Sequence, residues 1–87
     1  MAVNIKLKEW NECCCRAQAA CTKLKDLGYK AKVKSYSTPN GGAGFKFQIY
    51  DIVGCLFKEY YTGTHDNIED MLNSIDNMAY RIIRDNE

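Results

Sequence analysis

Histidine, tryptophan and proline each occur once in the 87 residues, which leaves few parts for a catalytic centre. An excess of either charge is also missing, with 12 Lys and Arg against 11 Asp and Glu. That excludes a uniformly basic nucleic-acid coat and an acidic mimic of DNA. No stretch approaches the ~18 apolar residues of a membrane span; the longest nearly apolar run is Ile52 to Phe57. Residues Met1 to Lys6 lack the apolar segment and cleavage site of a secretion signal, so the expectation is a cytoplasmic protein without a membrane partner. There is no P-loop, no dinucleotide fingerprint and no paired acid–base carboxylate motif, so no cofactor and no enzymatic activity are expected. Gly41, Gly42 and Gly44 join strand to strand rather than strand to helix, which is the wrong context for a phosphate cradle.

Five cysteines are present, an odd number. Cys13, Cys14 and Cys15 are adjacent in a helical pattern and point about 100° apart, so they cannot pair with one another. Reduced thiols follow. Cys14 and Cys21 stand two turns apart, roughly 10 Å along the axis, too far to share one ion. Both read as small core residues, and no metal site is expected. Catalysis by Cys55 or an exposed Cys15 with His65 would need a third, orienting group, and the sequence offers none.

Hydrophobic residues make up 46% of the chain, enough for one small core and a single domain over residues 1–87. Val3, Leu7, Trp10, Cys14, Ala17, Cys21 and Leu24 recur at spacings of three and four and predict a helix from Asn4 to Leu27, stopped by Gly28. Val3, Ile5 and Leu7 also alternate as a short strand would. Tyr29 to Ser37 alternates between lysines and small or apolar residues and reads as a half-buried strand. Thr38 to Gly44 is a flexible hairpin connection. A second strand follows from Gly44 to Val53 and a third from Cys55 to Thr62. The register of the third has two solutions. A tight Gly54-Cys55 turn sets Ile49 against Tyr60 and leaves Ile52 and Phe57 outside. A wider turn sends Phe57 inward and Lys58 with Tyr60 outward. The last helix spans Asn67 to Arg84, with Asp66 and Glu69 at capping spacing.

These elements predict an α+β fold, α-β-β-β-α, with both helices on one face of a three-stranded antiparallel sheet. The expected core holds Trp10, Cys14, Ala17, Cys21, Leu24, Val33, Phe45, Phe47, Ile49, Met71, Leu72, Ile75, Met78, Ile82 and Ile83. The element order resembles the double-stranded RNA-binding domain. That family grips phosphate with lysines at the start of its last helix, whereas this chain has Asp66, Asn67, Glu69 and Asp70 there, which repel phosphate. The resemblance is one of topology.

The open face of the sheet is the candidate site. Strand one brings Lys30, Lys32, Lys34 and Tyr36, strand two Lys46, Gln48 and Tyr50, and strand three Lys58 and Tyr60 in the wider register. The binding set is Lys32, Lys34, Tyr36, Lys46, Gln48, Tyr50, Lys58 and Tyr60. Tyrosine is enriched at protein interfaces, and six are present. The expectation is a small non-enzymatic protein-binding module. A phage or bacterial inhibitor of the anti-CRISPR kind, blocking a macromolecular target by steric cover, fits its size and its bias toward Lys and Asn. The alternative is a nucleic-acid binder, with phosphates on lysines and bases on rings. The same face is also a surface for a homodimer.

Overall fold

The computed structural model describes residues 6–65 and 67–86. Val3 of the first stripe, Val3 and Ile5 of the alternative short strand, and the expected cap Asp66 lie outside them. The elements are α1 (Leu7–Asp26), β1 (Lys30–Ser37), β2 (Ala43–Tyr50), β3 (Leu56–Tyr61) and α2 (Ile68–Asp85). The strands form one antiparallel sheet in the order β1-β2-β3. The expected α-β-β-β-α order and α+β class are therefore what the chain adopts.

Local chemistry sets the helix ends. Gly28 takes a φ of 98°, which a side chain resists. This lets Gly28 N–H reach the Lys25 carbonyl and Tyr29 N–H reach that of Leu24, closing α1 with a Schellman motif. At the start of α2 the cap is Asn67, one residue later than expected. Its Oδ1 accepts from the Asp70 N–H at 2.9 Å and its Nδ2 donates to the Asp70 carboxylate at 3.0 Å.

Both helices cover the face formed by Ala31, Phe45, Phe47, Ile49 and Tyr60. α1 contributes Cys13, Ala17, Cys21 and Leu24, and α2 contributes Met71, Ile75, Met78 and Ile82. Trp10 stacks on Phe45 with ring centroids 4.7 Å apart. The inward axis of α1 is rotated from the expectation. Cys13 is fully buried while Cys14 is only partly so, and Leu7 is exposed. Packing against two neighbours, the sheet and α2, widens the buried arc toward Cys13. Val33, Leu72 and Ile83, expected in the core, pack at its margin. Arg16 and Asp76 join the two helices by an ion pair in which Arg16 Nη1 donates to both carboxylate oxygens, at 2.9 and 3.1 Å.

The third strand follows neither expected register. The connection from β2 to β3 is the wider one, with Tyr50 opposite Leu56. Continued evenly, that pairing would turn Lys58 and Tyr60 outward. A β-bulge intervenes between Ile49 and Tyr50, so Ile49 faces Lys58 and Phe47 faces Tyr60. One extra residue on β3 exchanges its two faces. Tyr60 is consequently core, and Lys58 lies on the helix side, 3.6 Å from Asp85 of α2. Their place on the open face is taken by Glu59 and Tyr61.

Phe47 is fully buried at the centre of the sheet. Phe47→Ala is expected to cost about 3–5 kcal/mol, a large share of the stability of a domain this size. A urea titration read by Trp10 fluorescence checks this, since Trp10 rests on the neighbouring Phe45.

Candidate functional site

The open face of the sheet is ordered in rows across the strands. The first row is Lys30, Tyr50 and Leu56; the second is Lys32, Gln48 and Glu59; the third is Lys34, Lys46 and Tyr61. Tyr36 pairs with Gly44 at the end. Of the expected set, Lys32, Lys34, Tyr36, Lys46, Gln48 and Tyr50 share this face. Lys58 and Tyr60 do not, because the bulge turned them to the helices.

A chain of hydrogen bonds crosses the rows. Tyr50 Oη donates to Gln48 Oε1 at 3.3 Å, Gln48 Nε2 donates to Glu59 Oε2 at 2.8 Å, and Tyr61 Oη donates to Glu59 Oε1 at 3.1 Å. Gln48 is thereby satisfied although it is buried beneath its neighbours. The bonds from Gln48 and Tyr61, with Lys46 and Lys34 nearby, hold the Glu59 carboxyl below its ordinary value. The same bond pushes the Tyr61 phenol up. Lys32 sits over the Tyr50 ring at 5.4 Å, and Tyr36 meets Tyr61 edge-on at 5.4 Å. Lys34 stands directly opposite Lys46, a like-charge pair that costs stability in a sheet. Among the described residues Glu59 is the single acid in the rows with Lys30, Lys32, Lys34 and Lys46, so these rows remain basic.

A second feature adjoins this face. In the β2–β3 hairpin Ile52, Val53, Leu56 and Phe57 are 87%, 78%, 50% and 64% exposed. The tip is nonetheless tightly built. The Asp51 carboxylate accepts from the Val53 and Cys55 N–H groups at 3.1 and 2.9 Å. Asp51 N–H donates to the Cys55 carbonyl at 2.9 Å, and Lys30 Nζ caps the Ile52 carbonyl at 3.0 Å. Gly54 supplies the positive φ the turn needs, 92°. A groove of about 380 Å³, lined by Tyr29, Tyr50, Ile52 and Phe57 among others, lies beside the tip. The tight-turn reading left Ile52 and Phe57 outside, where they make an apolar patch. The patch exists although the turn is wide.

At the opposite end of the sheet, Thr38 closes the glycine-containing hairpin by bonds to Gly41 and Gly42. A Cβ on Gly44 would collide with the Gly63 carbonyl oxygen, so only glycine fits there. His65, in the loop before α2, is half-buried. Its Nε2 lies 2.7 Å from Ser74 Oγ and 3.1 Å from the Thr62 carbonyl. A nine-residue spacing across a loop and a helix carries no motif, so this pair was not readable from sequence. In a neutral ring Nε2 serves one of these partners at a time, and no carboxylate orients the other nitrogen among the described residues. The pair ties the loop to α2. Among the described residues no group of three His, Cys, Asp or Glu is placed to hold a metal ion, and no helix is long and apolar enough to cross a membrane.

Burial pushes the Cys13, Cys14 and Cys21 thiols up. With a thiol-specific reagent on the folded protein, Cys15 and Cys55 should react first, and Cys13 and Cys21 only on unfolding; peptide mapping by mass spectrometry reads the order. The lowered Glu59 carboxyl stabilises the fold above its unfolded value of about 4.3, and that contribution is lost as pH falls through the lower folded value. Glu59→Gln should therefore flatten the acid limb of stability against pH, measured as the urea midpoint below about pH 5.

No protein-family model matches this chain, and no curated protein is similar to it.

Proposed function

We propose that the chain is a non-enzymatic protein-binding module that acts by occupying a surface of a macromolecular partner. The observation that carries this reading is the hairpin tip. Four large apolar side chains, Ile52, Val53, Leu56 and Phe57, stand in solvent on a turn held by Asp51 and Lys30. Exposed apolar clusters of this kind mark contact sites. A tip already fixed in one conformation loses little entropy on docking. Lys30 and Lys32 beside it favour a partner whose apolar pocket has an acidic rim. Steric cover of that kind is how a small inhibitor works.

A second reading, single-stranded nucleic-acid binding, is favoured by one observation. Lys34 and Lys46 face each other across the strands, a repulsion that a bound phosphate would relieve. Tyr36, Tyr50 and Tyr61 on the same face offer rings for stacking.

One experiment separates the two. The tagged protein is used to capture partners from bacterial lysate with and without nuclease, beside Ile52→Asp/Phe57→Asp and Lys32→Glu/Lys34→Glu variants. The expected outcome is a protein retained after nuclease treatment and lost with the tip variant. If that protein is an immune nuclease or another host enzyme that titration inhibits, the anti-CRISPR-type role follows. Retention that nuclease abolishes, together with loss in the lysine variant and a steep fall in affinity with salt, would replace the first reading by the second.

A further inference from the structure

The sheet has two edges, and they differ. β1 carries Lys30, Lys32 and Lys34, and α1 packs over it. Lysines are a common guard against edge-to-edge pairing. β3 carries one lysine, Lys58, beside Leu56, Phe57 and Tyr61, all exposed. Some of its main-chain groups also face away from β2 with no partner among the described residues. Thr62 N–H donates to the Phe45 carbonyl, and Tyr60 lies opposite Phe47. Alternation in an antiparallel ladder then turns the N–H and C=O of Glu59 and Tyr61 away from β2. Neither residue's main chain finds a further partner among the described residues.

α2 flanks this edge. Contacts of Asp85 with Lys58 and of Met71 with Thr62 show that it runs antiparallel to β3. A groove of about 370 Å³ separates them, lined by Tyr61, Thr62, Ser74, Asn77, Arg81 and Arg84 among others. At 100° per residue, Asp70, Ser74, Asn77, Arg81 and Arg84 fall on one stripe of α2 within roughly 40° of its midline. The stripe is acidic at its first turn and basic at its end. Arg81 and Arg84 have no ion-pair partner among the described residues.

From this juxtaposition we infer that β3 is a self-association edge, on which a second copy of the chain pairs antiparallel to make a continuous six-stranded sheet. The register is constrained. Paired residues must share a sheet face, and Glu59 and Tyr61 must meet groups that point toward them. A two-fold axis at Tyr60 satisfies both conditions. Glu59 then faces Tyr61 of the second copy and Tyr61 faces its Glu59, so that two bonded pairs form and no like charges oppose. The same axis sets the two α2 stripes antiparallel, with the Asp70 end of each toward the Arg81 and Arg84 end of the other. An edge whose free main-chain groups pair with their own copies and a stripe that complements itself under two-fold rotation both favour a second copy over an unrelated peptide. The inference rests on the main chain of Glu59 and Tyr61 and on the α2 stripe; Leu56 and Phe57, which belong to the hairpin tip, stay outside the paired residues.

The test is the molar mass in solution, by light scattering or sedimentation, from about 10 µM to about 1 mM. The expected result is a shift from the 9.9 kDa chain toward twice that mass. Glu59→Pro removes an N–H that faces away from β2, so it spares the internal ladder and blocks the edge; it should remain monomeric while circular dichroism shows the fold intact. Should that variant fail to fold, charge reversal serves. Asp70→Arg alone and Arg84→Asp alone should each weaken association, and an equimolar mixture of the two should recover it, because every stripe contact is again between opposite charges. A mass of one chain throughout overturns the inference. So does a dimer that survives Glu59→Pro, or reversed variants whose mixture associates no better than each alone. Loss of partner capture in the tip variants bears on the binding reading and leaves the mass of the wild-type chain unaffected.

Discussion

What β3 contributes to the open face of this sheet, and every bond made to it there, depends on one irregularity. The bulge beside Ile49 and Tyr50 gives β3 one residue more than β2 over the same span. Without it, Tyr60 would face water and Glu59 would lie under the helices opposite Phe47, an unpaired acid in an apolar core. With it, Tyr60 fills the core, Lys58 reaches Asp85, and Glu59 emerges among four lysines. The hydrogen-bonded chain from Tyr50 through Gln48 and Glu59 to Tyr61 exists only in this register. The burial of one tyrosine and the solvation of one glutamate thus select the same arrangement.

That arrangement divides the surface into regions with different chemistry. The centre of the open face is basic but internally bonded, with Gln48 nearly enclosed and Glu59 committed to two donors. A ligand there would have to exchange those bonds for its own. The hairpin tip makes no such demand. Asp51 and Lys30 already bond several of its main-chain groups, and the large side chains it exposes are apolar. Docking on the tip releases water from Ile52 and Phe57 at little polar cost. This contrast is why the tip, rather than the lysines, carries the functional reading. Along β3 the chemistry changes again, to main-chain groups of Glu59 and Tyr61 that have no partner among the described residues, beside a polar stripe of α2.

Much of the fold was legible in the chain. The spacing of Trp10, Ala17, Cys21 and Leu24, and that of Met71, Ile75, Met78 and Ile82, marks two helices with one buried stripe each. Gly28 marks a helix end that the Schellman motif then uses. Alternation through Lys30 to Tyr36 and through Phe45 to Tyr50 assigns two strands and their faces, and six of the eight expected site residues stand on the open face for that reason. Lys58 and Tyr60 were misplaced because Leu56-Phe57-Lys58-Glu59-Tyr60-Tyr61 has no clean alternation. Either register puts an aromatic and a charge on each side. The choice of Cys13 over Cys14 as the buried thiol had the same origin, since both lie within the arc that two packing partners can cover.

Local patterns act over a few residues, so the sequence by itself determined the elements, their order and the inward faces wherever polarity alternates without ambiguity. The antiparallel partners, the bulge, the Asp51-held tip and the contact of His65 with Ser74 were decided by tertiary structure. Each depends on which distant groups compete for the same bond or the same core volume. That competition is resolved only when Phe47, Tyr60 and the two helices are packed together.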